Sequence, residues 1–197
     1  MSQSARFARL TRTTRETAVT VETDLDAAAA PRIATNLPLF SHFLQALGTH
    51  GRWSLAVDAT GDIEVDPHHL VEDVGIVLGQ CVRQALGERR GIARFGQRYL
   101  PMDEALVLCA LDVSGRGQLY WAGPFPDRPV NGVSAEVWPE FFRAFAAQAG
   151  ITLHLRCVSG DNAHHVYEAA FKALGQALCE AVKTVAGTDI PSTKGVI

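Results

Sequence analysis

Apolar residues recur at matching places in two stretches of this chain, and the elements they predict come in the same order. Residues 16–24, ETAVTVETD, read as a β-rich strand, and residues 104–112, EALVLCALD, have the same length with Glu at the start and Asp at the end. A helix follows in each: residues 42–50, HFLQALGTH, align without gaps on residues 140–148, EFFRAFAAQ, with apolar positions at helical spacing. Short strands come next at Trp53–Val57 and Ile151–Leu155, then a turn rich in Gly and Asp, then a second helix.

Each unit is thus strand, helix, strand, helix, with room for more strands around Asp24 and after Arg116. The expected class is α+β, an internally duplicated βαβ-type unit whose two pseudo-symmetric halves pack sheets on helices. The halves would be residues 1–93 and 94–197, with the seam at Gly91–Arg94 after the basic turn Glu88-Arg89-Arg90. No linker composition separates them, so one compact domain is expected. The stretch from Trp121 to Val137, with Pro124, Pro126 and Pro129, is predicted to be an exposed loop.

Composition narrows the function classes. The chain has 197 residues, 47% hydrophobic and 20% charged, enough to bury a proper core as an ordinary globular protein. A formal net charge of −3 offers no basic field, which argues against nonspecific nucleic-acid binding. Cys81, Cys109, Cys157 and Cys179 are scattered without a C-x-x-C pair, so no disulfide framework is expected. No apolar run approaches the roughly 20 residues of a membrane span, and no cleavable leader pattern opens the chain. A cytoplasmic protein without a membrane partner is the expectation.

The candidate chemistry lies at the start of the second helix of each unit. His68-His69-Leu70-Val71-Glu72 returns as His164-His165-Val166-Tyr167-Glu168, and each copy runs on into Leu-Gly-Gln, at Leu78-Gly79-Gln80 and Leu174-Gly175-Gln176. A single H-H-x-x-E string could be a helix start with structural histidines. Its second copy in register makes a duplicated metal-ligand cassette the better reading. Side chains three or four apart share a helix face, so Glu72 can meet either histidine of its pair. Adjacent histidines diverge by about 100°, so one ion does not easily take both. Two metals are therefore expected, each drawing on both cassettes. The gap-free alignment also puts Glu140 where the first half has His42, so if one is a ligand the other should be. Four nitrogen and oxygen ligands per ion would leave room for substrate.

An ordered series of motifs carries a family resemblance over essentially the whole chain. It runs through Arg12-x-x-x-Glu16-Thr17, Phe40-Ser41-His42, Thr49-His50-Gly51, the first cassette with Asp66 and Asp73, Arg94-Phe95-Gly96, Met102-Asp103-Glu104-Ala105, Asp112-x-x-x-Arg116, Leu153-His154, the second cassette through Lys172, and Ser192-Thr193-Lys194-Gly195. With these the chain resembles imidazoleglycerol-phosphate dehydratase. The resemblance implies a ribosomal protein S5 domain 2-like fold, a homo-oligomeric shell of 24 subunits, and Mn2+ as cofactor, two ions per site at subunit interfaces. It implies that one manganese takes His42, His69, His165 and Glu168, and the other His68, Glu72, His164 and Glu140. Family members carry histidine at the last position, and an acid before His42 where this chain has Ser41; the lead-in here is Thr35-Asn36-Leu37-Pro38.

The implied reaction removes water from imidazole glycerol phosphate to give imidazole acetol phosphate in histidine biosynthesis. The hydrogen that leaves is not acidic, so charge stabilisation at the ring by the metals, with a carboxylate base and an acid for the departing hydroxide, is what the site has to supply. By the same resemblance Glu16 and Glu168 are catalytic, and Glu16, His42, His50, His68, His69, Glu72 and His164 face the substrate. Arg94, Arg116, Lys172, Ser192 and Lys194 match positions that hold its phosphate, where guanidinium forks and ammonium charges suit the oxygens. Taken singly, a strand-end glutamate is usually solvated and each cation an ordinary surface charge. His154, in an apolar strand, reads as structural. With no phosphatase-like extension, a monofunctional hydro-lyase is expected. The rival readings are a noncatalytic metal-dependent assembly protein, against which the phosphate-type cations count, and an RNA-binding module, against which the charge counts.

Overall fold

Every second residue from Thr17 to Thr23 is buried, and every second one from Ala105 to Leu111, so each stretch makes a strand with one face on a core. The computed structural model describes residues 6–197. The first half runs β1 (Phe7–Thr13), β2 (Thr17–Asp24), β3 (Arg32–Thr35), α1 (Pro38–Gly51), β4 (Ser54–Gly61) and α2 (Pro67–Leu86). The second runs β5 (Phe95–Met102), β6 (Ala105–Asp112), β7 (Gln118–Ala122), α3 (Val137–Ala149), β8 (Thr152–Ser159) and α4 (Ala163–Val182). Their sheets have the same order, β1-β2-β4-β3 and β5-β6-β8-β7. In each only the β3–β4 or β7–β8 pair is parallel, with α1 or α3 as its crossover.

The duplicated α+β architecture expected from the sequence is present, with additions. The spaces left around Asp24 and after Arg116 hold β3 and β7. The opening strands β1 and β5 were not anticipated: β1 buries only Ala8 fully, and β5 is interrupted by Gly96 and Pro101, so neither shows a clean apolar alternation. The stretch from Trp121 to Val137 is corrected as well. It begins as the end of β7, and Val130, Val133 and Ala135 within it are buried, while Trp121 stacks on Phe125 with ring centroids 3.7 Å apart. The cysteines are free, three of them buried, as expected of small apolar side chains.

The helices pack across the duplication. α1 lies on α4 and α2 on α3, while α2 and α4 each also cover their own sheet. The repeated Leu-Gly-Gln marks these crossings. A Cβ on Gly79 would stand 2.6 Å from the carbonyl oxygen of Phe145, and one on Gly175 2.5 Å from that of Leu47. Backbone meets backbone there, and only glycine permits it. Gly175→Ala is expected to force α1 from α4 and to lose about 1–3 kcal/mol of stability. Because α1 carries His42, weaker metal retention should accompany the drop. Denaturant melts and metal analysis check this, and a variant matching the parent in both would show the crossing to be slack. Beneath it, Phe40, Phe43, Trp138, Phe141 and Phe171 form a fully buried aromatic cluster, with Phe43 and Phe171 stacked at 5.3 Å.

Candidate metal centre

Both cassette helices open on a capping side chain that fixes the phase of the histidines. Asp66 accepts the backbone N–H of His68 at 2.8 Å, and Asn162 accepts those of His164 and His165 at 2.9 and 3.4 Å. These caps satisfy helix donors that have no partner within the helix. The caps are therefore Asp66 and Asn162 and not the histidine side chains. His68 then shares a face with Glu72 and His164 with Glu168, while His69 and His165 turn aside.

In the second half the shared face closes on a partner from the first. Glu168 Oε2 lies 3.0 Å from His164 Nε2 and 3.2 Å from His42 Nε2, and the three donor atoms fall within 4.8 Å of one another. The His42 and His164 rings stack at 5.3 Å, and Phe43 packs edge-on to His164 at 5.5 Å. Glu168 is only 6% exposed, so its charge needs compensation, which Lys172 Nζ supplies at 2.7 Å from Oε1. Burial pushes the Glu168 carboxyl up, but hydrogen bonds from Lys172 and His42 outweigh it and hold the group below the usual carboxylate range. The result is an ionised carboxylate beside two imidazoles.

The mirror arrangement would join Glu140 of α3 to His68 and Glu72 of α2. There the ligands stand apart: His68 Nε2 is 3.7 Å from Glu72 Oε2, and the Glu140 carboxylate turns to the guanidinium of Arg143. The outer histidines each find an acid through Nδ1, His69 with Asp62 at 2.9 Å and His165 with Glu104 at 2.9 Å. Such a bond fixes the ring and presents Nε2 to a metal or substrate. Asp62, assisted by Glu16 4.0 Å from the ring, raises the His69 pKa against the desolvation that opposes it. Glu104 is held down to about 2 by His165 and by the backbone N–H of Asn162.

Asp62 and Glu104, the acids on His69 and His165, were not among the candidates read from the sequence. A signal for Glu104 existed, since it aligns with Glu16 at the head of the matching strand. Ser41 closes onto Thr35, hydroxyl to hydroxyl at 2.8 Å, and leaves Glu168 as the partner of His42. His50 ends α1, where burial and nearby Lys172 lower its pKa, and His154 stacks on Tyr120 at 4.4 Å.

The phosphate candidates divide between two places. Arg94 binds Asp112 at 2.7 Å and the carbonyl of Pro191 at 2.6 Å, and Arg116 stands 3.9 Å from the same Asp112. Ser192 and Lys194 follow Pro191 in a turn closed by the Lys194 N–H on Ser192 Oγ at 3.2 Å. Lys172 is elsewhere, on Glu168. One chain therefore gathers His42, His164 and Glu168, while His69 and His165 pair with Asp62 and Glu104 and Arg94 and Arg116 with Asp112.

Comparison with known proteins decides what this geometry belongs to. The sequence model of the imidazoleglycerol-phosphate dehydratase family matches residues 35–178, most of the chain. The chain belongs to the imidazoleglycerol-phosphate dehydratase family. It is 50% identical over 193 residues to the imidazoleglycerol-phosphate dehydratase of Desulforamulus reducens, covering 98% of each chain. It is 51% identical over 197 residues to that of Acidiphilium cryptum, covering 98% of this chain and 100% of the relative. The crystal structure of the dehydratase from Pyrococcus furiosus superimposes with a TM-score of 0.84 at 37% identity, over 95% of this chain and all of that one. That of the Staphylococcus aureus dehydratase gives 0.82 at 32% identity, over 91% of this chain and 99% of that one. The dehydratase family thus accounts for the two matching sheets and for the repeated cassettes.

Proposed function

We propose that this chain carries out the dehydratase reaction of its family, removing water from imidazole glycerol phosphate to give imidazole acetol phosphate in histidine biosynthesis, with manganese as cofactor, two ions per site. The observation that supports a metal is the His42, His164 and Glu168 group: two imidazole nitrogens and one ionised carboxylate oxygen within 4.8 Å, a donor set able to hold a divalent transition ion, of which manganese is the one the family resemblance implies. His68, Glu72 and Glu140 would hold the second ion, with His69 and His165 offering Nε2 to either. When bound, the metal supplies positive charge that draws electron density from the substrate ring.

The chain's own groups do the rest. Glu16, with its side chain 56% exposed at the head of β2, is free to take the proton from carbon. Its neighbour His69, hydrogen-bonded to Asp62, fixes the edge of the site on which Glu16 works. Lys172 and His42 keep Glu168 anionic, and Arg94, Arg116, Ser192 and Lys194 orient the phosphate.

The spacing of these groups along one chain supports a site shared between chains. The backbone N–H of Arg94 bonds the carbonyl of Ala181, which lies on the same helix as Glu168. Ala181 lies thirteen positions beyond Glu168 along α4, roughly 20 Å at the helical rise. The substrate has only a three-carbon chain between ring and phosphate. A homo-oligomer supplies the missing partner surfaces, and the 24-subunit shell of the family is the assembly we propose. No helix among the described residues is long and apolar enough to cross a membrane, and we place the enzyme in the cytoplasm.

The test is turnover of imidazole glycerol phosphate by protein stripped with chelator and then reloaded with manganese or left bare. Activity only after reloading is expected. If the reloaded, assembled protein is inert while chelation dissociates it, the cassettes serve assembly alone.

A further inference from the structure

The two helix crossings match contact for contact, so each side chain at one of them has a double at the other. A Cβ on Gly175 would stand 2.5 Å from the carbonyl oxygen of Leu47 and 3.0 Å from the backbone nitrogen of Gly51. One on Gly79 would stand 2.6 Å from the carbonyl oxygen of Phe145 and 3.0 Å from the backbone nitrogen of Ala149. The same register makes Glu72 of α2 the double of Glu168 on α4, and Glu140 of α3 the double of His42 on α1.

One crossing sets Glu168 against an imidazole, His42, at 3.2 Å. The other gives Glu72 a second carboxylate in that place, which repels it and has no proton to donate. The cations have changed helices to suit. Lys172, which neutralises Glu168 from the next turn of α4 at 2.7 Å, is replaced on α2 by Ile76. Arg143, which meets the Glu140 carboxylate from the next turn of α3, is replaced on α1 by Gln45. Each crossing thus has one cation. The α1–α4 group balances it with one carboxylate, whereas the α2–α3 group has two and keeps a surplus negative charge.

The donor atoms differ in the same direction. The α1–α4 group offers two imidazole nitrogens and one carboxylate oxygen. His68, Glu72 and Glu140 offer one nitrogen and two oxygens. Imidazole suits zinc and nickel, while carboxylate suits manganese and magnesium. Giving Glu140 to an ion requires its release from Arg143, and that guanidinium, 56% exposed, loses little by turning to water.

We propose that Glu140 makes the two metal positions of this chain unequal: the α2–α3 position is the harder one and exchanges zinc for manganese more readily than the α1–α4 position. Arg143 is a positioning residue that holds Glu140 away from Glu72 until the ion arrives. The inference rests on the metal reading above and adds to it which ion each position selects.

Zinc-loaded, assembled protein dialysed against rising ratios of manganese to zinc, with the metal content per chain measured, tests it. The parent is expected to exchange in two steps about tenfold or more apart in that ratio, with one ion per chain in each. Glu140→His should merge the steps at the higher ratio, and Glu140→Gln should lose most of one ion per chain. Arg143→Gln is expected to tighten manganese about two- to fivefold at the early step alone, read from the paramagnetic resonance signal of free manganese, with Arg143→Lys matching the parent. None of these readouts depends on turnover. A single step in the parent, a Glu140→His profile like the parent's, or full metal content in Glu140→Gln overturns the inference and leaves the metal reading standing. Arg143→Gln with unchanged or weaker manganese binding overturns the role given to Arg143. Protein that retains no ion at all removes the inference and the metal reading together.

Discussion

Glu168→Gln is expected to lower turnover by about a thousandfold or more, roughly 4 kcal/mol of transition-state stabilisation, and to weaken manganese retention while the chain stays folded. The substitution keeps size and removes charge. Three groups depend on that charge: Lys172 at 2.7 Å, His164 at 3.0 Å and His42 at 3.2 Å. An amide can still touch two of them but cannot neutralise Lys172, whose other contact is the sulfur of Met102 at 3.7 Å. Removing one partner of a buried pair leaves the other desolvated and costs about 3–5 kcal/mol, reduced here because Lys172 is partly exposed. Melting temperature should therefore fall together with activity. Steady-state kinetics, metal analysis and thermal melts measure the three effects, and near-normal turnover with full metal content would remove Glu168 from the centre. The mirror variant Glu72→Gln should melt closer to the parent, since that carboxylate is 44% exposed and has no lysine beside it among the described residues.

Mixing two inactive variants should restore activity. Arg116→Ala and Glu168→Gln damage groups that one chain keeps far apart, the first at a largely solvent-exposed side chain. If each substrate bridges the Glu168 of one subunit and the Arg116 of another, co-assembly from equal parts leaves about a quarter of the sites with both groups intact. Neither variant alone contains such a site. Recovered activity near that fraction, measured after co-expression and purification of mixed oligomers, is the expected result. Mixed assemblies as inactive as their parents would show that one chain supplies both groups, and that the separation along α4 is bridged in some other way.

The sequence made the repeated unit legible because its signals are periodic and came twice. The strand over residues 16–24, the helix from His42 and the cassette spacing each found a copy, and the structure builds them as matching elements. The edge strands were hidden because β1 and β5 pair on one side only and bury few side chains, which leaves little alternation to read. At the site, i to i+4 spacing foretold that Glu168 would meet a histidine of its own pair. It could not say that His164 would be the one, since the phase depends on the Asn162 cap. Nor could it show which half supplies the third group, because that follows from a tertiary crossing at Gly175. Arg143 beside Glu140 was equally invisible as a partner, although its spacing of three lay in plain view.

The exchange of helices between the halves has a consequence for how such a chain arose. His42 comes from the first half and His164 and Glu168 from the second, so a lone half would hold an incomplete cradle and expose the glycine-lined face of its long helix. A half-length forerunner would have needed a twin to close both, and at low abundance most copies would have stayed unpaired. Joining the two in one polypeptide replaces that encounter with an effective concentration set by a short connection. It also releases each copy to drift, and a histidine on one side can stand opposite a glutamate on the other.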